Sequence, residues 1–112
     1  MQVPVKNEHD QIQLLDLIEE AIYLQTDRSG GINIFTDYGI FTLIRRIGDW
    51  VALLDSSASM FLRVDRGTIV NLQKPWQYSP ELRVLKLIAD SKSIHIPVSE
   101  QKITQLIEMM NL

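Results

Sequence analysis

Residues 61–73 read FLRVDRGTIVNLQ, and this stretch carries the clearest strand and turn pattern of the 112-residue chain. Leu62 and Val64 alternate with charged residues, and Arg66-Gly67 supplies a tight turn. The same alternation resumes on the return. A period of two places one face of such a hairpin in a core and the other in water. The stretch therefore predicts an antiparallel β-hairpin.

Strand patterns continue from this hairpin toward the N-terminus. Ile32 and Ile34 alternate with a polar residue, residues 37–39 are typical of a turn, and residues 40–47 are rich in β-branched and aromatic side chains. Together, residues 32–74 predict an antiparallel meander of four to five strands. Its inner face needs helices to cover it.

One part of this meander has a second interpretation. Residues 40–54 could form one long helix, because short apolar runs do not distinguish strands from helices by period alone. Gly48-Asp49 lies in the middle of the segment and is typical of a turn, which favours two strands.

Helices are predicted on both sides of the sheet. Asp10 is a suitable N-cap, and Ile12, Leu15 and Ile18 follow at helical spacing, so an N-terminal helix is expected that ends in the stretch 26–31. Ser79-Pro80-Glu81 has the composition of a helix start, and this helix is expected to reach about residue 90.

The C-terminal segment completes the pattern. Residues 93–97 predict a short strand or an extended link, and Ser99 is a suitable N-cap for a final helix. The predicted fold class is α+β, with an antiparallel β-meander of four to five strands packed against an N-terminal helix and two C-terminal helices. We expect one domain over residues 1–112, in which residues 1–8 form a loose arm.

Composition narrows the class of protein. The chain is 46% hydrophobic, has no cysteine, and contains no apolar run long enough to span a bilayer, so a cytoplasmic protein without a membrane partner is expected. The formal net charge of -3 argues against non-specific binding to nucleic acid. Charge is also uneven, because residues 1–31 hold two basic and six acidic side chains and residues 41–74 hold five basic and three acidic ones.

Few residues are suited to catalysis or to metal binding. The two histidines, His9 and His95, are far apart in sequence and have no cysteine nearby to complete a metal signature. No nucleophile elbow or phosphate-binding glycine loop is present. We therefore expect a protein that is not an enzyme and that has no cofactor and no metal, with His95 on the outer face of a strand.

The expected function is a surface that binds another protein or a second copy of this chain, as an adaptor, inhibitor, chaperone or immunity-type protein. Arginine and tryptophan are favoured at interface hot spots, and methionine adapts to apolar partners. The candidate partner-binding residues are Arg45, Arg46, Trp50, Arg63, Arg66, Trp76, Met109 and Met110. These arginines could instead lie on the polar face of a sheet, and the methionines could close the protein's own core.

A nucleic-acid-binding regulator is the alternative function, using the C-terminal helices or the arginine-bearing sheet. Residues 79–88, SPELRVLKLI, resemble the opening helix of LuxR-type helix-turn-helix domains, and residues 99–103 loosely resemble the start of their recognition helix. The resemblance covers less than a third of the chain and departs at residues 93–97, where those domains have another short helix. It therefore assigns no family, and nucleic acid is not the expected partner. A small-molecule sensory domain is a third possibility.

Overall fold

The computed structural model describes residues 2–44, 61–89 and 92–110. Its elements in chain order are β1 (Gln2–Lys6), β2 (Ile12–Asp16), α1 (Leu17–Glu20), β3 (Tyr23–Thr26), β4 (Ile32–Thr36), β5 (Gly39–Leu43), β6 (Phe61–Arg63), β7 (Thr68–Asn71), β8 (Trp76–Ser79), β9 (Val84–Ala89), β10 (Lys92–Pro97) and α2 (Glu100–Met110). Within these residues no helix is long and apolar enough to cross a membrane.

The strands form two antiparallel sheets. Within the described residues, the larger sheet has seven strands in the order β2-β1-β5-β4-β3-β7-β6, and the smaller one has three in the order β10-β9-β8. Among the described strands, β2 is an edge of the larger sheet, and it exposes 70% of Ile12 and 66% of Leu14. The α+β fold class with antiparallel strands is confirmed.

Two hydrophobic cores lie on the larger sheet. The first is formed by β1 to β5 with α1 and Ile69, and the second joins β6 and β7 to the smaller sheet and to α2. Leu85, Leu87 and Leu106 are fully buried in the second core. This core therefore fixes the start of α2 next to the turn between β6 and β7.

Strand β7 belongs to both cores. All four of its residues are buried, with Ile69 in the first core and Val70 in the second. Asn71, at the end of the strand, has no exposed surface, and its side chain makes hydrogen bonds to backbone groups of the segment around α1. Its amide nitrogen donates to the carbonyl groups of Ile18 at 2.9 Å and Ala21 at 2.8 Å, which ties α1 to β7.

The predicted N-terminal helix is wrong. Residues 12–24 form β2, the four-residue helix α1 and the start of β3. Asp10 adopts a positive φ of 60° in a turn, and the N-cap of α1 is Asp16, whose carboxylate accepts a hydrogen bond from the Glu19 amide at 3.3 Å. Leu15 is buried while Leu14 is exposed, which is strand alternation in a segment that also has apolar residues at helical spacing.

The predicted helix over residues 79–90 is also wrong. The segment is the end of β8, a turn, and β9. The turn closes because Arg83 adopts the left-handed backbone conformation, with a φ of 54°. Beyond it, Leu85 and Leu87 point into the second core and Lys86 lies on the other face, which is a period of two. The resemblance to a helix-turn-helix opening therefore does not hold.

The structure also tests the predictions for the two ends of the chain and for residues 40–54. The loose arm predicted for residues 1–8 is wrong, because β1 lies between β2 and β5, with Val3 and Val5 buried. Residues 93–97, predicted to be a short strand or an extended link, are part of strand β10, with His95 exposed as expected. The final helix is confirmed as α2. Of the ambiguous residues 40–54, those up to Leu43 are strand β5, and residues 45–60 lie outside the described part.

Candidate nucleic-acid interface

Three segments meet at one end of the larger sheet. The turn between β3 and β4 lies beside the turn between β6 and β7, since the Thr26 amide donates to the Gly67 carbonyl at 2.8 Å. The packing is close enough that a Cβ added to Gly67 would lie 2.5 Å from Thr26 Oγ1. The β6–β7 turn also contacts the start of α2, because the Ser99 amide donates to the Val64 carbonyl at 2.9 Å. We call this end of the molecule, formed by the β3–β4 turn, the β6–β7 turn and the start of α2, the basic end.

An open cleft of about 620 Å³ lies between the β6–β7 turn and the first turn of α2. It is lined by Arg63, Asp65, Arg66, Ser99, Glu100, Gln101 and Lys102. The first amides of a helix carry partial positive charge that favours an anion nearby. The cleft therefore combines helix amides with basic side chains.

Most carboxylates of the basic end are engaged by neighbouring protein groups. The Asp27 carboxylate accepts hydrogen bonds from the Ser29 hydroxyl at 2.8 Å, the Gly31 amide at 2.7 Å and the Ser29 amide at 3.0 Å. These hydrogen bonds, with that of the Ser29 hydroxyl foremost, hold the pKa of Asp27 below its ordinary value. Asp65 accepts from the Gly67 amide at 2.9 Å. These carboxylates shape the two turns.

Glu100, at the start of α2, has a basic partner. Its Oε1 atom lies 2.6 Å from Nη1 of Arg83, in the turn between β8 and β9. The same turn is joined to the segment before α2 by a hydrogen bond from the Val98 amide to the Arg83 carbonyl, at 3.1 Å. The β8–β9 turn is therefore a fourth segment of the basic end.

The basic side chains divide into two groups. Arg63 is structural, because its guanidinium donates to the backbone carbonyl groups of Asp65 at 3.2 Å and Arg66 at 2.5 Å and so clamps the turn. Arg28 and Arg66 are exposed and Lys102 is half-buried. Within the described residues the charged groups of these three side chains have no ion-pair partner. They are the cations that remain available to a ligand.

The opposite end of the same sheet is acidic. Strand β4 leads from the basic end to the turn at residues 37–38, where the Tyr38 hydroxyl donates to the Glu20 carboxylate at 2.7 Å. Partial burial of this hydroxyl and its bond to Glu20 raise the pKa of Tyr38 to about 12. Glu8 comes close to Gly39 in the same region, with its Oε1 atom 3.7 Å from an added Cβ. The uneven charge of the sequence thus becomes two ends of opposite sign.

The predicted partner-binding residues do not form one patch in the described structure. Arg63 and Arg66 line the cleft, whereas Trp76 is half-buried and packs against the second core. Three predicted residues, Arg45, Arg46 and Trp50, lie outside the described residues. Met109 and Met110 are in the last turn of α2, and their side chains lie outside the described part.

Sequence reasoning missed Arg28 and Lys102 as members of this surface. Arg28 lies in a segment with six acidic residues, which hides its position at the tip of a glycine-rich turn. Lys102 follows the predicted helix start at Ser99, and that combination of a helix start with a nearby cation was the available signal.

Comparison with known proteins decides the family. Residues 11–111 match the family model of the LytTr DNA-binding domain. The chain belongs to the LytTR family. A solved LytTR structure has the same fold, with a TM-score of 0.71 at 18% sequence identity, covering 99% of this chain and 97% of the other. That structure is the LytTr DNA-binding domain of a protein from Bacillus cereus described as a methyl-accepting/DNA response regulator. No curated protein sequence matches the chain.

Membership of the LytTR family corrects two predictions. The main functional prediction, an adaptor-like protein-binding module, is wrong, and so is the prediction that nucleic acid is not the partner, since LytTR is a DNA-binding domain. The alternative, a nucleic-acid-binding regulator, is the better prediction. LytTR is also not a family of enzymes. Net charge misled the prediction because it averages the two ends of the sheet.

Proposed function

We propose that this chain binds double-stranded DNA through its basic end, as the DNA-binding part of a transcription regulator that has no enzymatic activity of its own. The observation that carries the proposal is the cleft at the start of α2, which Arg66 and Lys102 line. Arg28 lies in the neighbouring β3–β4 turn, and the carboxylates of Asp27, Asp65 and Glu100 are engaged within the protein. Membership of the LytTR family supports it. Because DNA is the proposed partner, we retain the cytoplasm as the proposed location.

Each group of the basic end has a chemical role in this proposal. Lys102 and the first amides of α2 suit phosphate oxygens, which position a protein on the duplex without reading its sequence. Arg66 lies at a turn tip, and an arginine there can reach O6 and N7 of guanine with two hydrogen bonds. Arg63 keeps that turn in place, so the loss of backbone freedom on binding is small.

The acidic end favours one orientation of the protein relative to the duplex. A chain with a net charge of -3 is repelled by DNA on average, yet opposite charge at two ends makes the potential depend on orientation. The duplex meets attraction only at the basic end. We expect this arrangement to disfavour unproductive encounters.

The test compares Arg66→Ala with Lys6→Ala, which removes an exposed cation from β1, outside the basic end. The preferred duplex is first selected from a random library, and affinity is then measured by fluorescence anisotropy over a range of salt concentrations. Arg66→Ala is expected to weaken binding by about tenfold and to relax selectivity at one base pair. Lys6→Ala is expected to leave affinity unchanged. A wild-type chain that enriches no sequence and does not bind DNA at low salt would overturn the proposal.

A further inference from the structure

We propose that Leu82 is a specificity-determining residue that contacts the methyl group of a thymine in the bound duplex. The proposal rests on the proposed function and adds an apolar contact to a surface otherwise defined by charge. Four observations support it: the exposure of Leu82, its position, the rigidity of its turn, and the chemistry of the groups around it.

Leu82 is exposed without any role in the protein's own packing. It is 72% exposed, more than any other large hydrophobic side chain in the described residues. The neighbouring leucines of β9, Leu85 and Leu87, are fully buried in the second core, and Leu82 belongs to neither core. A leucine in water gains free energy when a partner covers it.

The position of Leu82 joins it to the basic end. It precedes Arg83, which pairs with Glu100 of the cleft and whose carbonyl accepts the Val98 amide. On its other side, Leu82 borders a hollow of about 140 Å³ that Lys86 and His95 also line. Leu82 thus lies between Glu81 and the paired Arg83, and Lys86 lines the hollow beside it. An apolar tip near a lysine that has no ion-pair partner among the described residues suits a partner that is anionic overall and has local apolar groups.

The turn is held in one shape. The Leu82 amide donates to the Ser79 hydroxyl at 3.4 Å, Pro80 has a restricted φ, and Arg83 has a φ of 54°. A side chain presented by such a turn loses little backbone freedom on binding. Leu82 is therefore presented to a partner on a fixed backbone.

The chemistry of DNA identifies the group that Leu82 can contact. Leucine has no hydrogen-bonding atom in its side chain, so it cannot read donors or acceptors of base edges. In the major groove the apolar group is the C5 methyl of thymine, which contacts apolar side chains. A contact of this kind distinguishes thymine from cytosine and from uracil, which lack the methyl group.

The experiment combines a protein variant with a DNA variant. The selected duplex is prepared with each thymine in turn replaced by uracil, and affinity is measured for the wild-type chain, Leu82→Ala and Leu14→Ala. Leu14 is the matched control, since it is a similarly exposed leucine on edge strand β2. We expect Leu82→Ala to weaken binding by about fivefold to tenfold, as loss of one base contact does. Leu14→Ala should not change affinity.

The combination of both changes is decisive. At one position, uracil should weaken the wild-type chain by a similar factor and should not weaken Leu82→Ala further, because the methyl group and its partner are then both absent. Equal affinity of Leu82→Ala and the wild-type chain would overturn this proposal, and so would losses that simply multiply at every thymine. In both cases the DNA-binding function stands. A wild-type chain that binds no duplex would overturn the proposed function and this proposal with it.

Discussion

At the scale of single residues, Tyr38 shows how an exposed group can still have an unusual environment. Its ring lies edge-on to Phe41, with centroids 5.7 Å apart, and its hydroxyl donates to Glu20. Ionising the hydroxyl would place two negative charges at hydrogen-bond distance. The residue is therefore held neutral well above the pH at which a free tyrosine ionises.

This environment predicts a pH dependence. Because the pKa of Tyr38 is raised from 10.0 to about 12, its contribution to stability is complete below pH 10 and is lost as pH rises from about 10 to about 12. Burial also raises the pKa of Tyr23, so the late part of the ultraviolet absorbance of the phenolate should decrease in Tyr38→Phe while the contribution of Tyr23 remains. In Glu20→Gln, the matched control, the same transition should move toward lower pH. Unchanged titration in both variants would contradict the assignment.

Single residues also set the shape of the basic end. Asp27 organises the tip of one turn, Arg63 that of the next, and neither needs to touch a ligand to matter. Their partners are backbone amides and carbonyl groups, which every residue has, so the sequence around them shows no specific pairing. Such positioning residues can be identified only from the folded backbone, because their partners are backbone groups.

At the scale of elements, the link between α1 and β7 depends on the side chain of one residue, Asn71, and a single substitution can break it. Asn71 →Ala would leave the carbonyl groups of Ile18 and Ala21 without their donor, and the Gln73 amide without the acceptor it has at 3.0 Å. A buried polar group without a partner costs about 1–3 kcal/mol. We expect Asn71→Ala to lower the free energy of unfolding by about 2–4 kcal/mol, measured by urea denaturation.

The control for this substitution is Asn33→Ala. Asn33 is half-buried on β4, and its side chain accepts one hydrogen bond from the Thr42 hydroxyl at 3.3 Å. Its loss should cost about 0.5 kcal/mol or less, as at most surface positions. Similar losses in both variants would show that the Asn71 side chain does not hold α1 in place.

Elements also show where sequence reasoning succeeds. The hairpin of β6 and β7 and the helix α2 were predictable, because the period of apolar residues and the turn or cap residues agree in each. In residues 12–24 they disagree, since exposed Ile12 and Leu14 complete a helical stripe that the fold does not use. In residues 79–90, the composition of a helix start belongs to a turn. The cations of the basic end come from two turns and from helix α2, so no local pattern could assemble the site.

At the scale of the whole molecule, the sharing of β7 between two cores predicts a single unfolding transition. Neither core keeps its packing if β7 leaves the sheet. Leu24→Ala in the first core and Leu106→Ala in the second should each lower the free energy of unfolding by about 2–5 kcal/mol, because both leucines have no exposed surface.

The two variants change different cores, but each should still unfold in a single cooperative transition. Circular dichroism and tryptophan fluorescence should report the same midpoint in each variant. Gln105→Ala, an exposed position on α2, is the control and should change stability by about 0.5 kcal/mol or less. Two separate midpoints in either variant would show that the cores unfold independently.

The edge strand β2 has a practical consequence for anyone who concentrates this protein. Its first four residues, 12–15, contain no charged residue, proline or glycine, and Ile12 and Leu14 project from them into water; the charged residue of the strand, Asp16, is its last. Natural sheets usually interrupt such edges with a lysine or a proline to prevent aggregation. Precipitation during purification should therefore begin at this edge, and Leu14→Lys is the substitution that would improve solubility without touching the DNA-binding end.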